Sequence, residues 1–246
     1  MRLILITNDD GIRSEGLVRL AEQAKRFGEV WAVAPEDQRS AASHSITLHS
    51  PIDIYPVEYP VEGVKAFSCS GGPADCVRAG CLYVLPRKPD VVLSGINHGL
   101  NVASDLQYSA TAGTAFEAAF QGIPGIAFSE EAVPLHETAD RYLPEVLDEV
   151  LGEFFECGVL ETLPPDRILN VNFPGCRLTE CRGIMRDVTV SDGLVYRDRY
   201  VLRETLPGGG MRLMVEGVPD GRAAGGTDLW AVKSGYVAVG TVRNIS

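Results

Sequence analysis

The sequence predicts an α/β fold: a core built on a parallel sheet, extended by an antiparallel β-hairpin arm. Three observations carry that prediction. Leu3 to Ile6, Val30 to Ala34 and Asp90 to Ser94 contain short continuous apolar runs, the pattern of strands covered on both faces. Residues at helical spacing separate the first two runs, which gives a β-α-β start with a right-handed crossover. Beyond Pro164 the pattern changes to alternating residues joined by Gly-rich turns, as in antiparallel strands.

The first strand, Leu3 to Ile6, stops at Asn8-Asp9-Asp10-Gly11, four residues that favour turns. Leu17, Leu20, Ala21, Ala24 and Phe27 then follow helical spacing, and Gly28 closes that helix. Val30 to Ala34 is the second strand, ended by Pro35, and a polar loop of small residues runs on to Ser45. Ile46 to Val57 and Val64 to Ser68 are extended stretches that predict a hairpin or arm. Gly71-Gly72-Pro73-Ala74-Asp75 opens a helix, with proline near its start, through Val77, Cys81 and Val84. The strand Asp90 to Ser94 feeds a long loop through Asn97, Asn101, Ser104, Asp105, Tyr108, Ser109, Thr111 and Gly113. A loop of this length in a compact domain is usually functional.

A helix over Thr114 to Gln121, a strand over Ile123 to Phe128 and a helix around Arg141 to Phe155 follow. Ile168 to Phe173 reads as a strand. Gly183 to Ser191, Leu194 to Glu204 and Met211 to Glu216 form the alternating set, and the Leu194 to Glu204 ribbon carries Tyr196, Tyr200, Val201 and Leu202 among charges, as an arm reaching a second subunit would. Gly226 to Gly240 closes the chain as a short helix and a strand.

A chain of 246 residues that is 45% hydrophobic and 22% charged can bury a full core, as one large α/β domain or two small ones. The net charge of −11 argues against nucleic-acid polymers, whose phosphates it repels. It does not argue against a small phosphate ester, because a bound cation reverses the local sign. No apolar run approaches the roughly 20 residues that span a membrane, and the N-terminus lacks a signal-peptide shape. The cytoplasm is the expected compartment. The six cysteines, at 69, 76, 81, 157, 176 and 181, form no CxxC pair and are expected to be buried and without chemistry.

Three strand-end loops converge on one edge of such a sheet: 8–11, 35–45 and 95–114. Ligands bind at that edge in open α/β sheets. Its polar content is Asp9, Asp10, Ser40, His44, Asn97, Asn101, Ser109 and Thr111. Two adjacent carboxylates repel unless a cation or proton lies between them, so the pair reads either as a metal site or as an Asp-Gly turn with an N-cap. Carboxylates with serine and asparagine oxygens suit a hard divalent cation, Mg²⁺, Mn²⁺ or Ca²⁺, rather than zinc.

The 95–114 loop has no lysine or arginine, so an anion there is held by neutral donors: Asn101, Ser109, Thr111, backbone N–H groups and a helix N-terminus. Asn8 is either a turn former or a substrate contact, and His44 either a proton donor or a histidine that only hydrogen-bonds. Asp75 and Asp105 read as structural, and Asp228 as an N-cap. GxGxxG, GxxxxGK[ST] and GxSxG are absent, which disfavours dinucleotide-binding, P-loop and nucleophile-elbow chemistry.

Thr7-Asn-Asp-Asp-Gly11, Ala34-Pro35 to Arg39-Ser40, His44-Ser-Ile-Thr47, Gly72-Pro-Ala-Asp-Cys-Val77, Ser94-Gly-Ile-Asn-His-Gly-Leu-Asn101, Tyr108-Ser109 and, near the end, Thr227-Asp-Leu-Trp-Ala-Val with Gly235-Tyr-Val resemble the SurE family of survival proteins. The resemblance covers nearly the whole chain. It implies a Rossmann-like α/β core to about residue 175 and C-terminal hairpin and exchanged elements over about 176–246, in one domain that forms a homodimer or a tetramer.

It also implies a metal-dependent phosphatase of nucleoside 5′- and 3′-monophosphates. One divalent cation per subunit, Mg²⁺ or Mn²⁺ with Ca²⁺ able to occupy the site, would lie on Asp9, Asp10, Ser40 and Asn97. Asp9 and Asp10 would be catalytic, with Asn8, Asn97, Asn101, Ser109 and Thr111 around the substrate phosphate. Two departures stand out: Ala110 replaces a usual glycine, and the chain ends soon after Val242, which puts the tetramer in question. The rivals from other classes are a metal- and nucleotide-binding stress protein without significant turnover, and a deacetylase-like hydrolase, which the shortage of histidine near Asp9 opposes.

Overall fold

The computed structural model describes residues 2–133, 136–152, 163–220 and 222–244. The chain opens with β1 (Leu3–Thr7), α1 (Glu15–Ala24) and β2 (Glu29–Pro35), the expected β-α-β unit. Then come β3 (Ile54–Val57), β4 (Lys65–Cys69), α2 (Pro73–Ala79), β5 (Val91–His98), α3 (Ala110–Phe120), β6 (Gly125–Glu130), α4 (Glu137–Leu147) and β7 (Arg167–Phe173). The C-terminal part supplies β8 (Ile184–Met185), β9 (Tyr196–Leu206), β10 (Gly210–Pro219), α5 (Asp228–Lys233) and β11 (Val237–Arg243).

Among the described residues the main sheet has nine strands in the order β3-β4-β2-β1-β5-β6-β7-β11-β8. The run from β4 to β7 is parallel throughout, while β3 on β4 and β11 on β7 are antiparallel. Alternate residues of β1 serve opposite cores. Ile4 and Ile6 pack with Leu17 and Leu20 of α1 and Leu143 and Leu147 of α4. Leu3 and Leu5 pack with Trp31, with Val77 of α2 and with Ala118 of α3. Helices thus cover both faces, which is why the strand sequences are continuously apolar.

The chain leaves β1 toward β2 on one side, and β5 lies on the other. The strand order therefore reverses between β1 and β5, and a crevice opens beyond their carboxyl ends. The two-stranded β9–β10 ribbon is separate from the main sheet and leaves Tyr200, Leu202, Met211 and Met214 exposed.

Several expected elements are corrected. The stretches Ile46–Val57 and Val64–Ser68 do not make a free-standing arm: only Ile54–Val57 is strand in the first, and its partner β4 also pairs with β2 inside the main sheet. Part of the expected 95–101 loop is strand, since β5 runs to His98 with an irregularity between Ser94 and Asn97. The third helix begins at Ala110 rather than Thr114, because Ser109 caps it by accepting from the Ala112 N–H at 3.0 Å. The fourth begins at Glu137 and continues as a π turn to Gly152; its expected end at Phe155 lies outside the described residues, as does Cys157. Only Ile184–Met185 of the Gly183–Ser191 stretch is strand.

Asp228 is not an N-cap. Thr227 holds that position, and the buried Asp228 carboxylate accepts from the N–H groups of Ala103, Ser191 and Leu229, tying three segments together. Asp75 is structural, as expected: it accepts from the Gly72 N–H and from both the N–H and hydroxyl of Thr47. Cys69 and Cys76 are buried as expected, whereas Cys81, Cys176 and Cys181 are only half-buried; all five are free thiols. Among the described residues no helix is long and apolar enough to cross a membrane.

Candidate active site

The turn that ends β1 is built by its own side chains. Asn8 is fully buried; its amide donates to the Gly11 carbonyl at 3.2 Å and to the Ser14 hydroxyl, and its Oδ1 accepts from the Gly11 N–H. Gly11 has φ +100°, a conformation that an L side chain resists. Ser14 in turn caps α1 through the Leu17 N–H. Asn8 therefore fixes the turn and through it the direction in which Asp9 and Asp10 project.

Asp9 is only 4% exposed. Its Oδ1 accepts from Thr111 Oγ1 at 2.7 Å, and its carbonyl accepts from the Arg39 N–H at 2.7 Å. Burial pushes its carboxyl up to about 6; the Thr111 hydroxyl opposes that and the neighbouring Asp10 adds to it. Asp10 is more accessible, accepting from Gln38 Nε2 at 3.0 Å and from the His98 N–H at 3.2 Å. Among the described residues neither carboxylate takes part in an ion pair. The two carboxylates are held by neutral donors from the other two strand-end loops, and their charge is left uncompensated.

Asn97 lies on the outer part of β5, where its amide nitrogen donates to the Gly99 carbonyl at 2.8 Å and leaves Oδ1 as the atom open to a cation. Ser40 is exposed on the 36–45 loop. That loop is pinned against α3. Ser43 donates through its N–H to the Tyr108 carbonyl and through its hydroxyl to the Gln107 carbonyl, and His44 Nε2 lies 2.8 Å from Glu117 Oε2. The His44 ring also packs against Phe120, tilted, with centroids 5.2 Å apart, so in this structure its imidazole is engaged with Glu117 and Phe120. A Cβ on Gly113 would come within 2.6 Å of the Ser43 carbonyl oxygen, so the loop and the first turns of α3 touch backbone to backbone.

At the α3 N-terminus, Ser109 caps Ala112, and the Gly113 N–H is bonded to the Ser109 carbonyl. The N–H groups of Ala110 and Thr111 are left for an anion. The Thr111 hydroxyl is committed to Asp9. Asn101 is buried, with its amide donating to Ser129 Oγ at 2.8 Å and its backbone bonded to Asn170 and Asn172. Direct contact between Asn101 and a phosphate would require that amide to leave Ser129. Tyr108 is 65% exposed beside the helix start.

The donor chemistry fits a hard cation. Among the described residues no three of His, Cys, Asp and Glu cluster as metal ligands. A cation here would thus draw on the two carboxylates and on neutral oxygens such as Asn97 Oδ1 and the Ser40 hydroxyl. An uncompensated, desolvated carboxylate beside a second one is the observation that favours such an ion.

Sequence reasoning missed Glu117. It is 3% exposed in a helix with no other charged residue, and its carboxylate gathers His44, Arg78 and Gln121. The one acid among Ala115, Phe116, Ala118, Ala119 and Phe120 was the available signal.

The family model described as "Survival protein SurE" matches residues 4–192. The protein named 5'-nucleotidase SurE of Thermoanaerobacter sp. (strain X514) is 36% identical over 236 residues, covering 96% of this chain and 90% of its own. The protein of the same name from Clostridium botulinum (strain Loch Maree / Type A3) is 37% identical over 240 residues, with 96% and 90% covered. Among solved structures, the SurE protein from Aquifex aeolicus is similar with a TM-score of 0.79 at 33% identity, covering 99% of this chain and 94% of that one.

Proposed function

The chain belongs to the SurE survival-protein family, and on that footing we propose that it is a divalent-metal-dependent phosphatase that hydrolyses nucleoside 5′- and 3′-monophosphates to nucleoside and phosphate. The observation that carries this reading is the buried Asp9 beside Asp10 at the strand-order reversal, facing the N-terminus of α3. Asp9, Asp10, Ser40 and Asn97 would hold the cation, Mg²⁺ or Mn²⁺. When bound, the cation supplies positive charge that polarises the phosphoryl group and acidifies the attacking water.

The chain's own groups do the rest. Asp9 or Asp10 would orient the attacking water for in-line attack. The Ala110 and Thr111 N–H groups and the helix N-terminus bind the phosphate oxygens as charge gathers on them, a positioning and electrostatic role rather than a covalent one. Ser109 and Asn97 border that position. Thr111 holds Asp9 Oδ1, which keeps the carboxylate aimed, and Asn8 holds the turn beneath both acids. Residues 1–246 work as one unit, with the β9–β10 ribbon reaching a second copy of the chain.

The test is phosphate release from a panel of nucleoside monophosphates with Mg²⁺, Mn²⁺ or EDTA, for the wild type and Asp9→Asn. We expect release that needs metal, that EDTA abolishes and that Asp9→Asn lowers by about two orders of magnitude or more. A folded wild type that releases no phosphate with either metal would overturn the enzyme reading in favour of a metal- and nucleotide-binding stress protein.

A further inference from the structure

Ser40, one of the four proposed ligands, sits on a loop whose conformation is not self-sufficient. Ala41 and Ser43 have φ of 57° and 52°, left-handed values that non-glycine residues hold only with support from their surroundings. The support is visible at the loop's ends. Arg39 donates its N–H to the Asp9 carbonyl, and Thr47 is held by Asp75. Between them the loop rests on Ser43, bonded to residues 107 and 108, and on His44.

His44 is the last side-chain anchor before Thr47, and its partner is the buried acid of α3. The two oxygens of Glu117 divide their work. Oε2 meets His44 Nε2 at 2.8 Å, while Oε1 accepts from Arg78 Nη1 of α2 at 3.2 Å and from Gln121 Nε2 at 2.8 Å. Against the opposing effect of burial, hydrogen bonds from His44 and Gln121, helped by the charge of Arg78, hold the Glu117 carboxyl below its ordinary value. A buried carboxylate that draws donors from the 36–45 loop and from α2, besides one at the end of its own helix, is costly to build for packing alone.

Resting on the metal-site reading above, we infer that Glu117 is a positioning residue for the reaction. Through His44 it fixes the 36–45 loop on α3, and so sets where the Ser40 hydroxyl stands relative to Asp9 and Asp10. It touches neither substrate nor cation. The same helix holds Asp9 through Thr111, so α3 places two ligands from opposite ends of its buried side.

The experiment is Mn²⁺ binding to metal-stripped protein by titration calorimetry, with thermal midpoints in EDTA, for the wild type, Glu117→Gln, His44→Ala, Ser40→Ala and Asp9→Asn. Outer partners of metal ligands typically contribute about 10–100-fold in affinity, so Glu117→Gln is expected to raise the Mn²⁺ Kd by about tenfold or more. His44→Ala, which leaves α3 intact, should do the same. The double variant Glu117→Gln/Ser40→Ala should bind no more weakly than Ser40→Ala alone, because both changes remove one contribution.

A Glu117→Gln or His44→Ala protein that binds Mn²⁺ like the wild type, with or without a lowered midpoint, reduces Glu117 to a stability residue and overturns the proposal. Full additivity in the double variant does so too. If Asp9→Asn binds Mn²⁺ as the wild type does, the metal-site reading itself has failed and the role of Glu117 falls with it.

Discussion

Replacing Asp9 by asparagine should make the metal-free protein more stable at pH 8. Asp9 is 4% exposed, and its carboxyl is pushed up to about 6 from an ordinary 3.8. At pH 8 the group is charged in both the folded and unfolded states, and the folded state bears the desolvation cost. That displacement corresponds to about 3 kcal/mol. Between pH 3.8 and 6 the folded state binds more protons than the unfolded, so the stability of metal-free protein falls as pH rises through that window.

Asparagine keeps the shape and can still accept from Thr111, but carries no charge. The gain is at most about 3 kcal/mol, because the new amide NH₂ must itself find a partner. For a chain of this length that is at most about 10 °C in the thermal midpoint. The assay is thermal unfolding of the wild type and Asp9→Asn from pH 4 to 8, in EDTA and then in Mn²⁺. In EDTA the variant should lead at pH 8, and the two should converge near pH 4. In Mn²⁺ the order should reverse, because ligand that binds only folded protein stabilises the wild type alone. A variant that is less stable than the wild type at pH 8 in EDTA, or a difference that does not change with pH, would refute the argument.

Gly113→Ala should also reverse an ordinary rule. Inside a helix this substitution normally adds up to about 1 kcal/mol of stability. Here the added Cβ would meet the Ser43 carbonyl oxygen at 2.6 Å, so a lower thermal midpoint and weaker Mn²⁺ binding are expected; a stabilised variant would contradict the loop–helix contact. The β9–β10 ribbon, with Tyr200 and Met211 72% and 66% exposed, is expected to bind a second copy. Sedimentation should therefore show an oligomer that Tyr200→Asp with Met214→Asp dissociates, and a monomeric wild type at micromolar concentration would end that reading.

Much of this arrangement is legible in the sequence for a simple reason. Strands covered on both faces are largely apolar, so β1, β2 and the first part of β5 announce themselves, and the polar turns that follow them mark the ligand-binding edge. The start of α3 was hidden because Gly113 resembles a loop residue; in the fold it is a helical position where only a missing Cβ lets Ser43 approach. Asp228 matched an N-cap by position, but the N–H groups it receives come from residues 103 and 191 as well as its own helix. The same limit hid Glu117. Its partners His44 and Arg78 lie 73 and 39 residues away in the chain, and no local pattern reports a contact of that kind.

Thr111 and Glu117 are six positions apart on one helix, about 9 Å along its axis. One holds Asp9 and the other holds the loop that carries Ser40. The helix is thus a gauge of fixed length between two walls of the crevice, and its tolerance to insertion is nil. One extra residue between them would swing Glu117 by about 100° around the axis and lengthen the gauge by about 1.5 Å. The stretch between Ser40 and His44 is matched to that gauge, since Ser43 is bonded to residues 107 and 108 and His44 to Glu117, so a change in the helix's residue count would have to be answered in the loop.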